Sequence, residues 1–340
     1  MYQITINLIE ILVTSFVLIY ITIYISKKFD LLDHPRKGKH HLYPVPFTGG
    51  LVIAILLLYV DQRFNLKGLN INLNLILSHS IVITILGLID DIKDIKPLTK
   101  IFLQFFPIFA LADTIYLGNL GYYEFLGFVS LGSFSKIFTI LCCLLYINAF
   151  NYIDGIDGLG SSITFITLNT FLIYLVINKY YIFNYSLYIL SIPFIVFTFF
   201  NTSFMKLPKI FLGNAGSNLC GFFIAFLAIS LAQKKLLEPA LIIWPLALVV
   251  YEFISTNIIR IKNKKKLFLS GKDHIQFIIK TKFNLSNSTT VLLLVIFQIL
   301  FSLLGILIYN KLNNFSSILA YIIFFIIYLN FRSRIYVKKN

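Results

Sequence analysis

Charge is scarce in this chain. Only 14 acidic side chains are spread over 340 residues, and charged residues of both signs make up 13%. With 58% hydrophobic residues and a mean hydropathy of +0.86, too little polar surface is left to face water, which excludes a soluble globule. The three cysteines, Cys142, Cys143 and Cys220, all sit inside apolar runs. That placement excludes a disulfide framework or a cysteine metal site and leaves them as packing residues. No positive residue precedes the first apolar run, whereas Lys27 and Lys28 follow it, a pattern that argues against a cleaved signal peptide and for a retained helix. No soluble domain, low-complexity segment or repeat interrupts the chain, so residues 1–340 read as one polytopic membrane domain.

What is abundant is apolar length. Runs of about 17–25 apolar residues span a bilayer as helices. Eleven such runs are present, at about 5–25, 46–60, 71–89, 98–117, 134–150, 159–177, 182–200, 211–232, 236–259, 289–309 and 316–332. The second is short, and the fourth and fifth have soft edges. The expected fold class is therefore all-α, a polytopic integral membrane protein with about 11 transmembrane helices.

Lysine and arginine set the orientation. One set of alternating connections holds 22 of the 29 Lys and Arg residues, so by the positive-inside rule that set is cytoplasmic. This places the N-terminus outside and the C-terminus in the cytoplasm. The net charge of +15 is then a topology signal, and it also attracts anionic headgroups and phosphorylated substrates to the inner face. No nucleic-acid partner is expected.

The polar chemistry segregates to that same face: Asp33 to Gly50, Gly87 to Gln104, Asn148 to Ser162, Phe211 to Ser217 and Lys272 to Gln276. Scattered surface charge would not divide this way, which points to one composite site. Its richest stretch, NAFNYIDGIDGLGSS from Asn148 to Ser162, puts Asp154 and Asp157, each followed by glycine, at the mouth of a membrane helix. Carboxylates beside a bilayer are costly unless they pair, bind a cation or line a wet cavity. The glycines allow close approach of a ligand to the backbone. In GLIDDIKDIKPLTK, adjacent Asp90 and Asp91, with Asp94, repel one another unless a divalent cation, Lys93 or Lys100, or a proton relieves them. A solvated helix end would account for that segment alone, but Mg²⁺ with a phosphorylated ligand accounts for it better, since magnesium is held by one or two carboxylates plus phosphates. The basic loop DHPRKGKHHLYPVPFTGG, from Asp33 to Gly50, offers Lys37, Lys39, His40 and His41 as phosphate ligands. The last loop, RIKNKKKLFLSGKDHIQ from Arg260 to Gln276, has the same character.

Taken together these motifs resemble one family. The order D-x-P…K-x-H-x-x-P-x-P-x-x-G-G, G-L-I-D-D-x-x-D…K-x-x-x-Q, N-A-F-N-x-x-D-G-I-D-G-L, F-L-G-x-A-G-S and a final basic loop with D-H-I is similar to the polyprenyl-phosphate N-acetylhexosamine-1-phosphate transferases. Within that superfamily it looks like the branch that starts O-antigen, enterobacterial common antigen or teichoic acid linkage units. The resemblance covers essentially the whole chain. It implies a bacterial cytoplasmic-membrane enzyme that moves a sugar-1-phosphate, N-acetylhexosamine-1-phosphate, from a UDP-sugar to polyprenyl phosphate and releases UMP. Mg²⁺ is the implied cofactor, with Mn²⁺ as an alternative ion, and the oligomeric state is left open, a homodimer included. Carried over residue by residue, Asp90 becomes the candidate base, Asp91 stands beside the metal and Asp94 completes the acidic motif. Asn148, Asn151, Asp154 and Asp157 line the nucleotide–metal pocket, while Lys39, His41, Lys100 and His274 meet the diphosphate or sugar.

The chain departs from the family pattern in three places. Asn214 stands where the family's F-x-G-D-x-G-S carries a metal-binding aspartate, Gln276 and Phe277 replace two histidines of H-x-H-H, and Gly38 replaces an arginine before Lys39. Two other readings therefore stay open, a degenerate binder of nucleotide sugar or lipid phosphate and a multi-span transporter.

Overall fold

The computed structural model describes residues 2–35, 42–66, 71–181, 184–267, 271 and 273–336. Thirteen helices are assigned among them: α1 Tyr2–Lys28, α2 Gly49–Phe64, α3 Leu73–Lys93, α4 Pro97–Leu111, α5 Ser135–Ile153, α6 Leu159–Ile177, α7 Asn184–Asn201, α8 Gly213–Gln233, α9 Pro239–Ile242, α10 Ala247–Lys262, α11 Ile275–Lys282, α12 Asn287–Lys311 and α13 Asn314–Ile335. Two short antiparallel ribbons accompany them, β1 Leu32–Asp33 with β2 Val45–Pro46, and β3 Asn119–Tyr123 with β4 Gly127–Ser130. The fold is thus a mostly helical membrane bundle.

All eleven apolar runs contain helix, but they are not equally long. Eight helical segments among the described residues are long and apolar enough to cross a membrane: Thr5–Lys28, Leu73–Lys93, Gly132–Ile153, Leu159–Ile177, Gly213–Gln233, Pro239–Lys262, Asn287–Lys311 and Asn314–Ile335. Helix α2, with 16 residues, and α4, with 15, rise only about 24 and 22 Å at 1.5 Å per residue, short of a core of about 30 Å. Helix α7 carries Pro193 in its interior. The run at 98–117 does not continue as helix. α4 stops at Leu111, and the chain turns into the β3–β4 hairpin, where Gly121 and Gly127 adopt positive φ. The run at 236–259 is broken at Pro239 and Pro245, which divide it into α9, a single 3-10 turn at Trp244–Leu246, and α10.

The core is organised around α8, buried without interruption from Ala215 to Ala232. Small residues let other helices reach its backbone. A Cβ on Gly87 of α3 would fall 2.5 Å from Ala215 Cα, and one on Gly50 of α2 would fall 2.1 Å from the Gly216 nitrogen. Backbone bonds reinforce this seam, with Gly49 and Gly50 donating to the Phe211 and Leu212 carbonyls at 3.0 Å. By contrast α1, α12 and α13 leave Val13, Val17, Leu292, Leu303, Ile323 and Ile327 exposed, apolar faces suited to lipid.

Candidate functional site

A cavity of about 500 Å³ opens at the end of the bundle where α5 stops and α6, α8 and α12 start. Asn151, Asp154, Asp157, Asn214 and Ser217 line it, together with Asp33, Lys209, Phe277 and Lys280. The sequence dictates this local geometry. Helix α5 ends as Asp154 leaves helical backbone (φ −80°, ψ 61°), and Gly158 at φ +85° starts α6. The short turn between them is pinned by Asn201, which accepts from the Gly158 N–H and donates to the Ile210 carbonyl. Gly160 leaves room for the acid, since a Cβ there would fall 2.6 Å from Asp154 Oδ1. Burial, with the neighbouring Asp157 charge second, pushes the Asp154 carboxyl up to about 7, against a hydrogen bond from the Gly160 backbone. Asp157 differs, because Lys209 pairs with it at 2.6 Å.

Behind the wall the acidic pair does two distinct jobs. Asp91 accepts from the Asn214 and Ala215 N–H groups at 2.8 and 3.1 Å, so a carboxylate from α3 satisfies the orphan amides that open α8. Gly213 makes room for it, at φ +72° and with any Cβ 2.6 Å from Asp91 Oδ2. Buried Asp90 is engaged on both oxygens, by the Ile95 N–H at 2.9 Å and by Lys100 at 2.9 Å. Lys100 also donates to Asn214 Oδ1 at 3.2 Å, linking the acidic motif to the cavity. An amide network supports the floor. Asn148 donates to Gln104 at 3.1 Å, Gln104 to Asn218 at 3.2 Å and Asn151 to Asn218 at 2.8 Å, while Ser217 donates to Asn151.

Asn151, Asp154, Asp157 and Asn214 thus share one cavity wall, and Asp90, Asp91, Lys100 and Asn148 form the layer behind it. Two other expected residues lie apart. Asp94 is exposed at the left-handed C-cap of α3. His274 is buried at the N-cap of α11, with its ring 4.6 Å from that of Tyr152 and its Nδ1 3.8 Å from Glu252. Lys39 and His41 lie outside the described residues. Asp33 belongs to a polar cluster that the sequence assigned to the site, whereas sequence reasoning missed Lys209, Lys280, Asn201 and Asn218 as contributors.

Comparison with known proteins supplies a class for this arrangement. The glycosyl transferase family 4 model matches residues 73–232, which hold both acidic motifs and the start of α8. An undecaprenyl-phosphate alpha-N-acetylglucosaminyl 1-phosphate transferase of Pasteurella multocida is 32% identical over 74% of this chain and 71% of its own length. The chain belongs to glycosyl transferase family 4. Proteins of the same name are similar in Haemophilus influenzae, at 27% identity over 88% of this chain and 85% of theirs, and in Salmonella typhi, at 24% over 80% and 75%.

In this transferase the donor set for a hard cation is thin. No group of three or more His, Cys, Asp or Glu that could hold a metal occurs among the described residues. Asp154, Asp157 and Asn214 nevertheless line one cavity, with Asp33 also on its wall, and the raised Asp154 carboxyl marks an acid that an arriving cation would stabilise in its charged form. That set fits Mg²⁺, which keeps waters and substrate phosphates among its ligands. Asp91 fits less well as a direct ligand, because the α8 amides take both its oxygens.

Proposed function

We propose that this family 4 enzyme transfers N-acetylhexosamine-1-phosphate, N-acetylglucosamine-1-phosphate first among the candidates, from a UDP-sugar to undecaprenyl phosphate, with release of UMP. The observation that carries the reading is the convergence of Asn151, Asp154, Asp157 and Asn214 on one cavity at the polar end of a membrane bundle, with Lys209 and Lys280 on the same wall. The names of its relatives supply the acceptor and the sugar. We further propose about eleven spans, a site on the cytoplasmic face of the bacterial inner membrane, an outside N-terminus, and a place as the initiating step of a cell-envelope polysaccharide.

The reaction forms one phosphorus–oxygen bond, from the lipid phosphate to the sugar-bearing phosphorus, and breaks the bond from that phosphorus to UMP. A phosphate monoester has a second pKa of about 6, so the acceptor is mostly dianionic at neutral pH and needs positioning more than deprotonation. Asp90, engaged on both oxygens, suits that economy better as the anchor that fixes Lys100 beside Asn214 than as a general base. Asp91 holds the start of α8, and with it Asn214 and Ser217, against α3. Asp154 and Asp157 with Asn214 would hold Mg²⁺, which when bound neutralises phosphate charge and polarises the phosphoryl oxygens.

Asn214, Gln276 and Phe277 favour a second reading, a binder of the same ligands without turnover, since none of them carries a charge. Incubating the purified protein with undecaprenyl phosphate, Mg²⁺ and a panel of UDP-sugars decides. Lipid-linked product together with UMP is expected, and ligand binding without product from any sugar would leave the second reading.

A further inference from the structure

Helix α11 buries Ile275, Ile278 and Ile279 in the protein and turns Phe277 and Lys280 to the cavity. Three-residue spacing puts those two side chains on one helical face. The helix packs directly on the turn that carries Asp154: a Cβ on Gly155 would fall 2.6 Å from Gln276 Nε2 and 2.9 Å from the Phe277 ring. Gln276 is spent on that contact, donating to the Tyr152 carbonyl at 2.8 Å.

The charges on the cavity wall make Lys280 conspicuous. Asp33, Asp154 and Asp157 would repel an incoming anion, and Lys209 is paired with Asp157 at 2.6 Å. The Lys280 ammonium, by contrast, makes no ion pair or hydrogen bond among the described residues. Asn287, the first residue of α12, lines the same cavity, so the positive end of that helix dipole adds to the lysine's field.

We propose that Lys280 is an anion-binding side chain of this cavity, gripping the diphosphate bridge of the donor. The ligand's identity rests on the transferase reading; the unpaired ammonium on the cavity wall does not. A lysine does this as a mobile point charge on a long, flexible stem. The prediction is specific to the charge at 280 and is indifferent to the shape of α11.

Binding of UDP and of inorganic pyrophosphate to the purified full-length protein, at fixed Mg²⁺, tests this, with sugar transfer measured alongside. Lys280→Met keeps the apolar stem and should weaken both ligands by about tenfold or more, the size of one charge-assisted hydrogen bond. It should also flatten the dependence of binding on salt. Lys280→Arg keeps the charge and should stay within about threefold of wild type. Equal affinities for wild type and Lys280→Met would overturn the assignment while leaving the transferase reading intact. A loss of pyrophosphate binding in Lys280→Met, in a protein that transfers no sugar, would support Lys280 and overturn that reading alone. A wild-type protein that binds neither ligand would overturn both.

Discussion

Asn214 is the position where one atom matters most. The residue lines the cavity and its amide oxygen accepts from Lys100 at 3.2 Å, but it brings no negative charge to a cation. Asn214→Asp should therefore lower the Mg²⁺ concentration needed for half-maximal transfer. A Mg²⁺ titration of both proteins checks this, and an unchanged midpoint and rate would leave Asn214 as a helix-start residue that does not touch the metal. His274 carries a different expectation, one of stability. Burial pulls its pKa from the ordinary 6.5 down to about 4, with Glu252 and Asp273 opposing and Arg260 and Arg332 adding to the fall. The ring is neutral at pH 7. Unfolding restores the ordinary value, so between pH 6.5 and about 4 the unfolded chain holds the extra proton, and stability falls as pH drops through that window. The thermal unfolding midpoint in detergent should thus drop more from pH 7 to pH 5 in wild type than in His274→Gln, and equal drops would remove His274 as the cause. Much of the site was legible at this level. Asn151, Asp154 and Asp157 announce themselves as polar residues at helical spacing beside glycines, and Asn214 sits in the G-N-A-G start of α8. Lys209, Lys280 and Asn218 were not legible, because a single polar residue far along the chain has no spacing signature, and only the fold carries Asn218 onto Gln104 and Asn151.

Helices and their breaks were legible to different degrees. Apolar length located every long helix, but it misjudged where α4 ends, since residues 112–117 are mostly apolar and yet lead out of the helix into the β3–β4 hairpin. It also gave no hint of what holds α11, which is a buried ionic clamp. Glu252 of α10 is fully buried and accepts from Arg332 of α13 at 2.9 Å through each oxygen, from Tyr328 at 2.8 Å, from Thr256 at 2.7 Å and from the Ile275 N–H at 2.9 Å. Arg332 also donates to the Asp273 carbonyl, and Arg260 grips the Asp273 carboxylate at 2.7 and 2.9 Å. That partnership overcomes the upward push of burial and holds the Asp273 carboxyl below its ordinary range. The last helix of the chain thereby fixes the two residues that lead into α11, and with them the cavity wall at Phe277 and Lys280. Arg332→Met would strand Glu252 as an unpaired buried charge, which costs about 3–5 kcal/mol. The expected result is a markedly lower unfolding midpoint, with Glu252→Gln in the same chain recovering part of it by removing the stranded charge. Additive losses in the double variant would show that the two side chains are not coupled.

Apart from Asp33 on β1, Lys209 before α8 and Lys280 on α11, the polar elements of the site come from alternate ends of successive helices: the start of α2 with its Phe211 contacts, the ends of α3 and α5, and the starts of α4, α6, α8 and α12. A chain that crosses a bilayer repeatedly can gather its charged groups in this way only if they all lie on one side, because each crossing with an unpaired charge at its centre is costly. In the orientation proposed above from the lysine and arginine bias, that side faces the cytoplasm, the side from which the proposed nucleotide-sugar donor would arrive. Single cysteines test the arrangement in the whole molecule, without reference to catalysis. Lys96 and Lys264 stand at the site end, at the N-cap of α4 and just beyond α10, whereas Lys179 and Lys234 stand at the opposite end, just past α6 and α8, and all four are exposed. Cysteines at 96 and 264 should be protected from an impermeant thiol reagent in intact cells and react once the membrane is opened. Cysteines at 179 and 234 should react in both conditions. Native Cys143 and Cys220 are buried and Cys142 is half-buried inside α5, so a parent lacking all three gives the clean background. The opposite labelling pattern would put the cavity outside the cell, and a cytosolic UDP-sugar could not then be its donor, however well the cavity bound one in detergent.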